Sequence, residues 1–323
     1  MKHRLAGFAA AALMSVATVS LAQTAPPTAP SDPQEEATTL DEVVVLARRS
    51  GAPMWTVTQG DSTLILVGAI GRIPRDVTWR PDDLEAAAAR SDLILTPAVG
   101  QASLSDVFRV IWRARTIGQM PRGTTTADYL TPDYQARLEA IMAGERNQGW
   151  RTKSLLFLSM DLMKDKAGYG QGREGEDAVD VIKRAARRGR VEVRPVGTVR
   201  GDEIVDSLIT APQTEHVACT QAAIAAAEYG PTAGRDRAED WRALRVLEVV
   251  ASPIDQALNV CWPWADPEIG SQLHQQWAAA IETAMTGSGV TMSVAPIRLL
   301  AEEGGVLDGL EARGFDVVGP AWK

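Results

Sequence analysis

The sequence predicts an α/β protein: a central mixed β-sheet flanked by helices, with a large helical insertion between the last sheet strands. Three observations predict it. Short apolar runs alternate with helical patterns at both ends of the chain. A Gly60-Asp61 turn joins two β-prone runs near the start. Residues 201–285 read as a succession of helices.

The elements follow in order. "MWTVTQ" and "TLILVGAI" flank the turn and form a hairpin, and Pro81-Asp82-Asp83 opens a helix running through Ala89 with acids in its first turn. "DLILTPAV" is a strand. Helices follow over 103–117, 132–143, 153–166 and 176–188, then the strand "RVEVRPVGT". After the helical block come "VTMSVAPI", a helix over 303–313 and a last strand in "FDVVGP". Strands 63–70, 92–98, 191–197 and 290–297 are short apolar runs bounded by Gly or Pro, so one sheet buried on both faces is expected.

Ahead of this domain, residues 1–22 have the form of an export signal. Lys2 and Arg4 precede a short apolar core of small residues, and Ser20-Leu21-Ala22 offers a cleavage site after Ala22. The expected location is periplasmic or secreted, with no membrane span after cleavage. Residues 23–52 are a Pro-, Thr- and acid-rich linker with little to bury. Within it, Leu40 to Arg49 ("LDEVVVLARR") resembles a TonB box, which implies strand addition to a TonB-type periplasmic domain; an edge strand of the following domain is the other reading. The domain itself spans 53–323.

The formal charge of −8 argues against nucleic-acid binding, which needs a basic face. The two cysteines, Cys219 and Cys261, are read as a disulfide in an oxidising compartment or as two buried thiols, and export favours the first. Neither has the CxxC or CxxH partner of a zinc site.

Chemical signatures are few. HExxH, GxSxG and a Walker A loop are missing, and no cofactor is expected. Beyond the leader the only histidines are His216 and His274, each alone in a helical stretch. Gly170 to Gly175 matches GxGxxG, but a helical pattern precedes it rather than a strand, so it reads as a helix-to-helix loop. Trp262-Pro263-Trp264 beside Cys261 reads as packing against the disulfide, and Trp55, Trp79 and Trp112 as core or boundary residues.

Taken together, "PMWTVTQGDSTLILVGAIGRIP", "EDAVDVIKRAARRGRVEVRPVGT" and "MSVAPIRLLAEEGGVLDGLEARGFDVVGP" resemble the TraB/GumN family, whose relatives include the Tiki metalloproteases and, more distantly, erythromycin esterase and ChaN-like proteins. The likeness covers roughly residues 53–320, and the order Cys219, Trp241, Cys261 resembles a spacing common among exported members. The resemblance implies two Gly-x-x-His motifs and strand-end acids that hold a divalent metal and activate water. This sequence departs at each position. The first motif becomes Gly68-Ala69-Ile70-Gly71, the second Ala295-Pro296-Ile297-Arg298. The acids fall at Thr96 or Pro97 and at Gly197. No metal is therefore expected. Arg298, with Arg72 nearby, would instead favour a carboxylate, a phosphate or an internal acid such as Glu302 or Glu303. The expected function is a non-catalytic binding or accessory protein for a peptide, a partner protein or a small anion. The alternative is a hydrolase with relocated residues, drawn from Asp76, Glu302 or Glu303 with His274.

Overall fold

A computed structural model describes residues 50–323 except 102 and 264. The leader, the cleavage site after Ala22 and the TonB-box-like stretch 40–49 lie outside the described residues, as does most of the linker. The described chain is one compact unit.

Six strands form the predicted mixed sheet, in the order β5-β3-β7-β2-β1-β8. They are β1 (Met54–Gln59), β2 (Ser62–Ala69), β3 (Leu93–Thr96), β5 (Glu192–Pro195), β7 (Gly289–Pro296) and β8 (Val317–Val318). The β1–β2 hairpin is antiparallel, and Gly60 takes the positive φ its two-residue turn requires. From β2 across β7 and β3 to β5 every pairing is parallel, with Ala69 opposite Pro296 and Leu95 opposite Ser293. A separate parallel pair joins β4 (Val99–Gln101) to β6 (Thr198–Arg200). Pro97 falls between β3 and β4, where a missing N–H suits the end of a strand.

The helices, in chain order, are α1 (Asp82–Arg90), α2 (Leu104–Gly118), α3 (Pro132–Ile141), α4 (Leu155–Asp161), α5 (Ala178–Gly189), α6 (Gly201–Thr210), α7 (Val217–Tyr229), α8 (Ala233–Arg242), α9 (Val246–Ala251), α10 (Pro253–Val260), α11 (Pro267–Thr286), α12 (Ile297–Ala301) and α13 (Val306–Ala312). Those from α6 to α11 are the predicted insertion. Capping residues explain several starts. Asp177 accepts the Asp180 N–H at 2.9 Å ahead of α5, and Asp266 accepts those of Glu268 and Ile269 ahead of α11. The α11 stripe Ile269, Leu273, Trp277, Ile281 and Met285 is buried at helical spacing.

Two cores result. The larger joins the sheet to its helices through Trp55, Leu64, Leu66, Met292, Val294 and Trp241. The second packs Leu138, Trp150, Leu158 and Ile224 around Cys219 and Cys261. Those cysteines form a disulfide, with Cα atoms 4.7 Å apart.

Several sequence expectations need correction. Strand 191–197 is shorter, and β5 is an exposed edge rather than buried on both faces, because no strand among the described residues pairs beyond it. The helix expected over 303–313 starts later, as α13 from Val306, because Gly304 at φ +71° turns the chain, and the short helix α12 precedes it where none was expected. The helix over 153–166 loosens into a wider π turn at Leu162–Lys166. Trp112 is neither core nor boundary; it is 88% exposed on α2, beside Phe108 and Ile111. Trp150, not Trp262, packs in the disulfide's cluster. The GxGxxG segment is a loop between helices, as its context predicted. No helix among the described residues is long and apolar enough to cross a membrane.

Candidate functional site

Parallel strands β2, β3 and β7 end on one edge of the sheet, and a cavity of about 340 Å³ opens beyond those ends. The segment after β2 contributes Ile70 and Gly71, and the turn into α12 contributes Pro296 and Arg298. Helices α8, α10 and α11 close it with Arg237, Asp255 and His274, while Tyr169 and Asp177 come from the loop before α5.

The first question is why glycine stands at 68 and 71. A Cβ on Gly68 would lie 3.0 Å from Ile297 Cγ1 and 3.1 Å from the Trp55 ring. Its carbonyl also accepts the Trp241 indole N–H at 2.7 Å. Gly68 is thus required by packing. Gly71 is not: a Cβ there would meet only the Tyr169 hydroxyl, at 4.0 Å. A side chain has room at 71, and the sequence supplies none.

Gly197 is the reverse case. Its missing Cβ leaves space that the Gln276 carboxamide has entered, 2.2 Å from where that Cβ would be. Gln276 then donates to the Thr198 carbonyl at 2.9 Å. Thr96 is buried, and its hydroxyl donates to the Arg194 carbonyl at 3.4 Å.

Both guanidiniums in the cavity are committed to the protein. Arg298 donates through Nε to the Asp255 carbonyl at 3.1 Å and through Nη2 to the Val250 carbonyl, which ties α12 to α9 and α10. Its nearest carboxylate, Glu302, is 4.0 Å away. Arg237 donates to Asp255 at 2.6 Å and, more loosely, to the Gly71 carbonyl at 3.4 Å. Both members of that ion pair are only 5% exposed. Arg72 lies outside the cavity lining and pairs with Glu174 at 2.5 Å, where its φ of +63° turns the chain.

Burial pushes the Glu302 carboxyl above the usual range, opposed by the Arg298 and His274 charges. It also raises Asp177, opposed by the Asp180 backbone N–H, and raises the Tyr169 phenol. Burial lowers Arg298. Of the relocated candidates, the cavity brings together Glu302 and His274. Asp76 pairs on the surface with Arg235, and Glu303 is exposed; neither lines the cavity.

Sequence reasoning missed Arg237 and Asp255. A signal existed for the first: Ala233, Arg237 and Trp241 fall at fourfold spacing on one buried face of α8. Asp255 was hidden because an acid three residues after Ser252 looks like first-turn capping, a role its backbone does play.

The hairpin, the parallel strand ends and the final α/β unit fall in the order the resemblance requires, and a family model matches residues 53–318, under the description TraB/PrgY/gumN family. The chain belongs to that family. No curated protein and no solved structure matches the chain. The metal that family resemblance implies needs lone-pair donors facing one another. Gly71 and Gly197 supply no side-chain donor, and Arg298 supplies a permanent cation. Among the described residues no three His, Cys, Asp or Glu side chains gather closely enough to share an ion. The residues present do not fit that metal.

Proposed function

We propose that this family member is an exported, non-catalytic binding protein whose ligand occupies the cavity at the ends of β2 and β7. One observation carries the reading. Where the resemblance implies a second metal-binding histidine, Arg298 holds two backbone carbonyls together, so the position serves as a structural brace. A cation there also opposes a metal ion electrostatically. The family strand ends are retained while the donors are not, which leaves a formed cavity lined by apolar and a few polar groups. Export rests on the leader pattern ending at Ala22 and on the disulfide, which suits an oxidising compartment.

Calorimetry of the mature chain with manganese, cobalt and zinc tests the non-catalytic role. No stoichiometric binding and no metal-stimulated peptidase or esterase activity are expected. Tight binding of one of these ions with matching hydrolysis, both lost in Glu302→Gln or His274→Ala, would overturn it in favour of relocated catalysis. Mass spectrometry of the exported protein should find Gln23 as the first residue.

A further inference from the structure

The balance of charge and hydrogen bonding in the cavity names the kind of ligand it takes, an inference that rests on the binding role above. Three carboxyls line the cavity, Asp177, Asp255 and Glu302, against two guanidiniums, Arg237 and Arg298, and the His274 imidazole. Both guanidiniums are already engaged, one with Asp255 and the other with two carbonyls. The acceptors are not used up. Asp255 Oδ2 is buried without a hydrogen-bond partner, in a side chain only 5% exposed. Glu302 has its nearest guanidinium 4.0 Å away, too far for a hydrogen bond. Asp177 takes the Asp180 N–H on one oxygen, Oδ1. Among the described residues of the lining, Arg237 Nε is likewise a buried donor without a partner, one against the one buried acceptor.

We propose that the cavity binds a small organic amine, its ammonium donating to the leftover carboxylate oxygens and its apolar body lying against Ile70, Leu258 and Leu299. An ammonium brings three N–H donors and no acceptor, which suits a lining where carboxyls outnumber guanidiniums and Asp255 Oδ2 has no partner. Its charge is opposite to the surplus. Trp262, on the same lining, adds apolar surface. A carboxylate or phosphate would meet the opposite situation. To bind Arg298 it would have to draw the guanidinium from the Val250 and Asp255 carbonyls and give up both hydrogen bonds. Burial raises the Glu302 and Asp177 carboxyls, so a cation beside them also relieves the cost of their charge.

Calorimetry on the mature chain at neutral pH, with phenethylamine, 2-phenylethanol and phenylacetate as probes of one shape and three charges, tests this. Saturable binding is expected for the amine, binding at least about tenfold weaker for the alcohol, and none for phenylacetate; one lost charge contact is a change of that order. Glu302→Gln should weaken the amine about tenfold and the alcohol far less, and retained alcohol binding shows that the cavity is still formed. Acidification through the raised range of Glu302, which faces Arg298 and His274, should weaken the amine more than the alcohol. The inference is overturned if the amine does not bind, if phenylacetate or the alcohol binds as tightly, or if Glu302→Gln leaves amine affinity unaltered. None of these results restores metal-dependent hydrolysis, so the non-catalytic role is judged separately by the metal titrations.

Discussion

Replacing Arg237 by leucine isolates the ion pair at the floor of the cavity. The guanidinium and the Asp255 carboxylate meet at 2.6 Å, and each side chain is 5% exposed, so water cannot take over for a lost partner. Leucine removes the donor to Asp255, the weaker one to the Gly71 carbonyl, and the cation placed 5.8 Å from the Tyr169 ring centre. A buried charge left unpaired costs about 3–5 kcal/mol. Removing both charges is cheaper, because the desolvation of each disappears with it; Arg237→Leu combined with Asp255→Leu should recover most of the loss, to within about 2 kcal/mol of the unaltered chain. Urea denaturation with the disulfide intact reads this as a lower midpoint at unchanged slope. The reasoning fails if Arg237→Leu costs under about 1 kcal/mol, or if the double variant loses the sum of the two singles, since either result means the pair is not closed off from water.

Three further outcomes follow from particular contacts. Replacing Cys219 and Cys261 by alanine opens a loop of sequence separation 42 and should cost about 4 kcal/mol in the chain-entropy account, seen in the same denaturation assay. Gly68→Ala drives a methyl against Ile297 and Trp55 and should cost about 1–3 kcal/mol, whereas Gly71→Ala enters open space and should stay within about 0.5 kcal/mol. Burial raises the Glu302 carboxyl in the folded chain, so its contribution to stability is full below the ordinary glutamate value of 4.5 and is lost as pH rises through the raised value. Glu302→Gln should therefore be more stable than the unaltered chain at neutral pH, with the gap closing in acid, as thermal melts across that range would show.

Much of the fold was legible because local patterns carried it. The apolar run Leu64 to Val67 and its turn at Gly60 specify a strand and hairpin within a dozen residues, and Asp177 or Asp266 ahead of a helical pattern specifies a start. The exposed edge at β5 was not legible, since whether a strand is covered depends on what pairs beside it. The same holds for Trp112, whose helical spacing is compatible with either face.

For the site the division is sharper. The sequence by itself determined which donors are missing: glycine at 71 and 197 and arginine at 298 need no structure to be read as unsuited to a metal. It also left two cysteines with only each other to pair with. Only the tertiary structure decided what the remaining groups do. Arg298 and Glu302 are neighbours on one helical turn, which suggests an ion pair. In the folded chain that pair stands at 4.0 Å, while the guanidinium's hydrogen bonds go to carbonyls more than forty residues away, at Val250 and Asp255. Arg237 and Asp255, in different helices, become a buried pair, and Gln276 fills the space beside Gly197. Hydrogen-bond partners and burial are properties of packing between distant segments, and local patterning carries no record of which groups that packing leaves unmet.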